Sequence, residues 1–354
     1  MAAGTFFAEI HQELNAKTAP CGKWNLPLFY PGGSAAEHRH TLSEASLFDQ
    51  TGCRIFQLTG KGIGTYLDEV FLYAVATLPV GGCMENFLLH DDGTFAALFT
   101  LCRMQDEDFM LLAERDLPEK EIAYLLKTIG QKVCVRELSE AMAVLTMAGA
   151  RTMELLSAAG AAELPACGSW QLITVLDDEG DELRAIAIRR DRFGVTGFDL
   201  CINSAVALEF YGALYRIAGV APAGVTAWES LRIESGTVGV GTELHSGILP
   251  TECGIGPDMT RRFVGKDALT QAVSTRQLVM LRFDRYPAAP GSAVQLPDQR
   301  VAGVVTSGAF CPAAGEARVF AFLDADCPAP SGAEFFCTVN GKNTCGTILA
   351  AKAR

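Results

Sequence analysis

The sequence predicts an α+β body followed by an all-β module. Three observations carry this. Strand and helix patterns alternate up to about residue 275. After residue 276 no helical pattern follows. There, short alternating stretches lie between Gly/Pro turns: "QLVMLRFDR", "GSAVQL", "QRVAGVVTSG", "RVFAFLDA", "AEFFCTVNG" and "NTCGTILAA", the pattern of a small barrel.

The elements follow in order. "TFFAEIHQELNAK" has a Thr cap, and Phe6, Ile10 and Leu14 fall at helical spacing. "SAAEHRHTLSEASLFD" reads as a second helix from Ser34, and "CRIFQLTG" as a strand. "GKGIGTYLDEVFLYAVATL" gives a turn and an amphipathic helix. "ENFLLHDDGTFAALFTLCRMQDEDFMLLAE" predicts three strands, with hairpin turns at Asp92-Gly93 and from Gln105 to Asp108. "LPEKEIAYLLKTIGQ" is a helix with Gly130 after its end. "SWQLITVLDDEGDELRAIAIRR" splits into two strands at its acidic turn, and "NSAVALEFYGALYRIAG" and "GVTAWESLRIESG" are helices.

The chain of 354 residues is 49% hydrophobic and 20% charged, enough for a large core and more than one domain. Its net charge is -12, and the longest basic run is Arg189–Arg190, so nucleic acid and anionic membranes are poor partners. None of the twelve cysteines forms a C-x-x-C pair. The N-terminus has no basic segment followed by an apolar run, and "MAVLTMAGA" is too short to span a bilayer. The expectation is a cytoplasmic protein with reduced, mostly buried thiols.

Motif chemistry is sparse. "TGKGIGTYLDE" lacks the Lys-Ser/Thr ending of a phosphate loop, and "SGTVGVGTEL" follows a helix rather than a strand, so neither is a dinucleotide fingerprint. His38 and His40 are two apart, which is wrong for a metal pair, so a surface role is expected. "VTSGAF" lacks the frame of a serine nucleophile elbow. Asp91-Asp92, Asp177-Asp178 and Asp181-Glu182 read as solvated turns.

One long stretch departs from this blandness. "LRIESGTVGVGTELHSGILPTECGIGPDMTRRFVGKDAL" resembles the signature of the T-protein family of the glycine cleavage system, the folate-dependent aminomethyltransferases. The match is carried by Leu231 to Glu234, Gly236, Gly241, Pro250, Glu252, Gly254, Phe263, Gly265, Ala268 and Leu269. "AAEHRHTLSEASLFDQTG", "AVLTMAGARTMELL" and "GVVTSGAFCPAAGEARVFAFL" extend it over nearly the whole chain. The resemblance implies three domains around a central channel. These are a discontinuous α+β domain (1–50 and 140–255), a second α+β domain (51–139) and a β-barrel (276–354). It implies tetrahydrofolate as the bound cofactor and a lipoyl carrier protein as a possible partner. It also turns Arg232 toward the folate, where a guanidinium can serve a carbonyl or carboxylate. The alternative for Arg232 is a buried ion pair with Glu234 or Glu229.

The chain departs from the family pattern at several positions. Ala96 and Ala97 stand where the family carries two aspartates, so no catalytic carboxylate is assigned. Val195 replaces a pterin-pairing glutamate. Two pocket tyrosines fall at Met84 and Arg192, and a pocket asparagine falls near Ala113. The expected ligand-binding set is therefore Arg232, Val195, Met84, Ala96 and Arg192. The runner-up function is a non-catalytic relative that keeps the channel for another ligand or a partner protein. A kinship with folate-binding iron–sulfur assembly proteins is set aside, because "RRFVGKDAL" around Arg261 lacks their cysteine motif.

Overall fold

The computed structural model describes residues 2–115 and 117–349. The chain opens with helix α1 (Ala8–Glu13), the hairpin β1 (Lys17–Cys21) and β2 (Trp24–Phe29), helix α2 (Ser34–Ser43) and strand β3 (Ala45–Asp49). Then come β4 (Arg54–Thr59), α3 (Ile63–Val70), β5 (Cys83–Leu89), β6 (Phe95–Gln105), β7 (Asp108–Ala113), α4 (Glu119–Ile129) and β8 (Cys134–Glu137). Strand β9 (Met142–Ala148), α5 (Thr152–Ala158), β10 (Trp170–Leu176), β11 (Glu182–Arg189), β12 (Gly197–Asn203), α6 (Ala207–Tyr215), β13 (Val220–Pro222) and α7 (Val225–Ser235) follow. After the short helix α8 (Lys266–Gln271) only strands remain: β14 (Arg276–Phe283), β15 (Ala293–Gln295), β16 (Val301–Cys311), β17 (Glu316–Asp324), β18 (Glu334–Val339) and β19 (Lys342–Leu349).

Two compact units result. One runs up to Val70 and includes Ala74–Asn86 and Leu98–Trp228; the other comprises Phe71–Tyr73, Phe87–Ala97 and the chain from Glu229 onward. In the first unit, a six-stranded sheet has the order β10-β11-β12-β9-β3-β13. Its core joins Leu47, Leu145, Met147, Phe198 and Leu200 to Phe210, Tyr211 and Leu214 of α6. Strands β4 to β8 form a five-stranded sheet in the order β5-β6-β7-β4-β8. In the second unit, β14-β17-β16-β15-β18-β19 close into a barrel, with β14 pairing β19. Its interior is filled by Val279, Leu281, Val319, Leu323, Phe335 and Ile348. Closure leaves no free sheet edge, which is how a small all-β module protects its backbone donors.

All six barrel strands match the sequence expectation, although the last two residues of "NTCGTILAA" lie outside the described residues. The three-stranded stretch and the Trp170–Arg189 pair also match. At Asp92-Gly93 the Asp92 carboxylate accepts from Thr94 N at 3.0 Å, and Gly93 takes φ 82°. The Asp177 carboxylate likewise accepts from the amides of Glu179 and Asp181.

Four expectations fail, each for a local reason. Thr5 Oγ1 accepts from Phe7 N one turn before the helix, and the chain leaves α1 early to start β1 at Lys17. The expected second helix ends at Ser43; Ala45–Asp49 is a strand buried at every residue, paired by β9 and β13. A short apolar run buried on both faces reads alike as helix or strand. Helix α3 stops at Val70, and the Asp68 carboxylate takes the amides of Val75 (2.6 Å) and Ala76 (3.1 Å) in the segment beyond it. His38 is not on the surface: it is fully buried on α2, while His40 faces the carbonyls of Ala45 and Gly219.

Candidate functional site

Arg192 and Val195 flank a tight turn in the first unit. Each donates its N–H to the other's carbonyl at 2.9 Å. Between them Phe193 and Gly194 take φ 56° and 76°, the left-handed pair of a type I′ turn. Glycine adopts that conformation freely, but a phenylalanine does so at a cost of order 1–3 kcal/mol. Tertiary contacts hold it: Phe193 packs edge-on against Trp228 with centroids 4.8 Å apart, and Phe48 meets Trp228 at 5.2 Å.

The Arg192 side chain folds back from this turn. Its guanidinium lies over Trp228, 5.0 Å from the ring centroid, and donates to Asp199 Oδ2 at 2.8 Å. Asp199, on β12, is almost fully buried and also accepts from Thr146 Oγ1 at 2.6 Å. Arg190 joins the group, donating to Glu114 at 2.9 Å, to Glu85 at 2.7 Å and more distantly to Asp199 at 3.5 Å. Burial opposes the charge of Asp199, but Arg192 and Arg190 outweigh it and hold the carboxyl below its usual range. Burial likewise opposes the charge of Arg190, and its three carboxylates hold its pKa above the ordinary value.

A depressed folded-state pKa has a definite sign. The contribution of Asp199 is complete above the unfolded carboxyl value of about 3.9 and is lost as pH falls through the lower folded value. Asp199→Asn is expected to lower stability by about 1–3 kcal/mol at neutral pH, because two guanidinium groups lose their shared anion. In urea melts the gap to the unaltered protein should close as pH drops below about 4.

Arg232, on α7 in the second unit, is 5% exposed. Its Nε and Nη2 donate to Glu229 Oε2 at 3.1 and 2.8 Å. Its Nη1 donates to Glu243 Oε2 and to the Thr237 carbonyl, both at 3.0 Å. Of the two acids expected as ion-pair partners, Glu229 takes that place; the second partner is Glu243 rather than Glu234. Burial opposes the Arg232 charge, and the two carboxylates override it and raise its pKa.

Glu243 has no exposed surface. Besides Arg232, it accepts from Gly239 N at 2.8 Å, Thr242 Oγ1 at 2.8 Å, and Thr306 and Ser307 Oγ at 2.6 Å each. Thr306 and Ser307 belong to β16, so this one carboxylate pins the glycine-rich loop and α7 to the barrel. Gly239 is needed there: a Cβ would sit 2.7 Å from Thr242 Oγ1 and 3.1 Å from Arg232 Cζ.

Ala96 and Ala97 are both buried, at 4% and 2% exposure, on β6. Met84 is half-buried on β5, and Ala113 is fully buried at the end of β7. Among the described residues, no group of three or more His, Cys, Asp or Glu side chains could hold a metal ion, and no helix is long and apolar enough to cross a membrane.

Sequence reasoning placed Arg192 and Val195 as neighbours but missed their partners. Trp228, Phe193 and Glu114 carried no motif. The Phe193-Gly194 dipeptide between two strand patterns was the one local signal of the turn. Glu243 lay inside the quoted stretch, but nothing nearby announced its donors.

The family model described as the GCVT N-terminal domain matches residues 7–260, well over half of the chain. The chain belongs to that family. Its relatives agree. An aminomethyltransferase of Streptomyces avermitilis is 27% identical over 357 residues, covering 96% of this chain and 94% of that protein. An aminomethyltransferase of Listeria innocua serovar 6a is 26% identical over 323 residues, covering 89% and 88%. The fold is similar to the crystal structure of glycine cleavage system aminomethyltransferase T from Bartonella henselae. The TM-score is 0.87 at 23% identity, covering 98% of this chain and 97% of that one. Within the GCVT family frame, the α+β body and closed C-terminal barrel are those of a T-protein.

Proposed function

We propose that the chain is a folate-binding one-carbon protein of the GCVT family whose aminomethyl transfer is strongly attenuated. Family membership supports a folate-dependent one-carbon transferase. The observation that carries the attenuated form is the pair Ala96 and Ala97. Both are buried, and neither has a proton to give or take at the positions where the resemblance puts aspartates.

The ligand contacts proposed from the resemblance are Met84, Arg192 and Val195 of the first unit and Ala96 and Arg232 of the second. A reduced folate presents amino and ring N–H donors on its pterin edge. Val195 offers them no acceptor, and each donor left unpaired would weaken binding by about 1–3 kcal/mol. Arg192 remains as a flat cation already stacked on Trp228, suited to a planar ring or a carbonyl. The partner would be the carrier of an aminomethyl-lipoyl group, although a chain of net charge -12 would dock weakly on an acidic carrier at low salt.

Thermal unfolding with and without tetrahydrofolate tests the reading. Saturating folate should raise the midpoint, and Val195→Glu should tighten binding by about tenfold, the equivalent of one recovered hydrogen bond. No shift at millimolar folate in either protein would count decisively against folate as the ligand.

A second reading is a non-catalytic member that holds another ligand or a partner protein. It is favoured by the closure of Arg232 between Glu229 and Glu243, which commits Nε, both Nη1 hydrogens and one Nη2 hydrogen to groups of the protein itself.

A further inference from the structure

We propose that Cys83 and Cys102 form a reversible redox pair, a cross-strand dithiol that a peroxide closes to a disulfide. The placement comes from the backbone. Strands β5 and β6 are neighbours in the five-stranded sheet. Arg103 N donates to the Gly82 carbonyl at 2.9 Å, which sets residues 83 and 102 opposite each other. The Cys83 N–H points the other way, to the Gly168 carbonyl at 2.8 Å. The two cysteines therefore face each other at a position with no backbone hydrogen bond between them. There the Cα atoms of paired strands approach to about 4.5 Å. A disulfide needs Cα atoms roughly 4.4–6.8 Å apart, so the backbone already meets its span.

The side chains agree with this placement. The two side chains lie in one buried cluster, and the Cys83 thiol donates to the Arg189 carbonyl at 3.9 Å. Both belong to one apolar cluster with Ile55, Met110, Leu112 and Cys201. They are unequal. The hydrogen bond from Cys102 lowers the Cys83 pKa against its burial, and the Arg190 guanidinium lowers it further. Burial and the charge on Cys83 push Cys102 well up. Of the two, Cys83 is the one more readily deprotonated, the order expected of an attacking and a resolving thiol. The pair lies within the first unit and needs no folate, so it stands whether or not the proposed function does.

The chemistry balances with hydrogen peroxide as oxidant. The Cys83 thiolate attacks one peroxide oxygen and the O–O bond breaks. This leaves a sulfenic acid on Cys83 and a hydroxide that takes a proton from solvent. The Cys102 sulfur then attacks the Cys83 sulfur. The S–S bond forms, the S–O bond breaks, and the Cys102 proton leaves with the hydroxyl as water. Two thiols are oxidised and one peroxide is reduced to two waters; a thiol reductant reverses the step by exchange.

The test uses the full, fully reduced chain. It is exposed to graded hydrogen peroxide under native conditions, its free thiols are alkylated in denaturant, and its peptides are mapped by mass. The expected product is a Cys83–Cys102 linked peptide short of two hydrogens, erased by dithiothreitol and formed about tenfold faster than any change at Cys201, which is as buried as the pair and so controls for access. The proposal is overturned if both cysteines stay fully alkylatable while exposed Cys134, Cys167 and Cys345 oxidise. It is equally overturned if Cys83 is found linked elsewhere. Reading the map on the unaltered protein makes the answer independent of how well any cysteine variant folds.

Discussion

Glu243→Ala is expected to destabilise the second unit by about 3–5 kcal/mol, the usual consequence of stripping one partner from a buried ion pair. The carboxylate has no exposed surface, and five donors converge on it: Arg232 Nη1, Gly239 N and the hydroxyls of Thr242, Thr306 and Ser307. Alanine leaves all five facing a void. The hydroxyls can turn to other acceptors, but the guanidinium keeps its charge and only Glu229 and one carbonyl remain to it. Urea melts should therefore show a large fall in midpoint with little change in slope. Replacing both members, as in Arg232→Met with Glu243→Leu, should recover part of the loss by removing the stranded charge. Recovery should be incomplete, because the fixed Gly239 N–H still lacks its acceptor. A fall of under about 1 kcal/mol for Glu243→Ala would mean that water reaches the site and that the pair is no staple.

This network also shows what a sequence can and cannot disclose. The barrel strands were legible because each alternates and each ends in a turn, so the information sits within ten residues. The type I′ turn at Phe193-Gly194 is equally local. The stretch from Leu231 to Gly254 could be read as a turn-rich wall, and its arginine could be given an acid partner three positions away on the same helix. The decisive acid lies beyond a glycine loop, and two of its three hydroxyl donors lie 63 and 64 positions further on. No periodicity encodes such a meeting. His38 failed for the same reason: a polar residue on a polar-looking helix gives no sign that the fold will bury it. Strand β3 failed because both of its faces are covered, and burial on both faces erases the alternation that marks a strand. Helix α7 holds the most instructive contrast. Trp228 and Arg232 lie one turn apart on it, yet Trp228 stacks with Arg192 while Arg232 is consumed by its own acids. The spacing puts both residues on one helix, but only their surroundings show which partner each one takes.

Aminomethyl transfer to tetrahydrofolate should run about 10²- to 10⁴-fold slower than in a relative that carries the aspartate, the usual worth of one positioned acid/base. On the proposed reading, the reason is the chemistry at Ala96 and Ala97. As a folate nitrogen attacks an aminomethyl carbon, a proton must leave that nitrogen and another must reach the departing amine. A methyl group accepts and donates nothing, and Phe95 and Leu98 beside the pair are buried and apolar too. Ala96→Asp and Ala97→Asp, made singly, separate the two positions. On a strand, successive side chains point to opposite faces, so only one substitution can address a ligand on a given face. That variant should regain about 10²-fold in rate. The other should only lose stability, by roughly 1–3 kcal/mol for a polar group buried without a partner. Product formation from an aminomethyl-lipoyl donor, read beside the unfolding midpoint of each variant, distinguishes the cases. If the unaltered chain already matches an aspartate-bearing relative, the proton is being moved by some other group. If neither variant gains while both stay folded, the chain has left aminomethyl transfer behind and the non-catalytic reading takes its place.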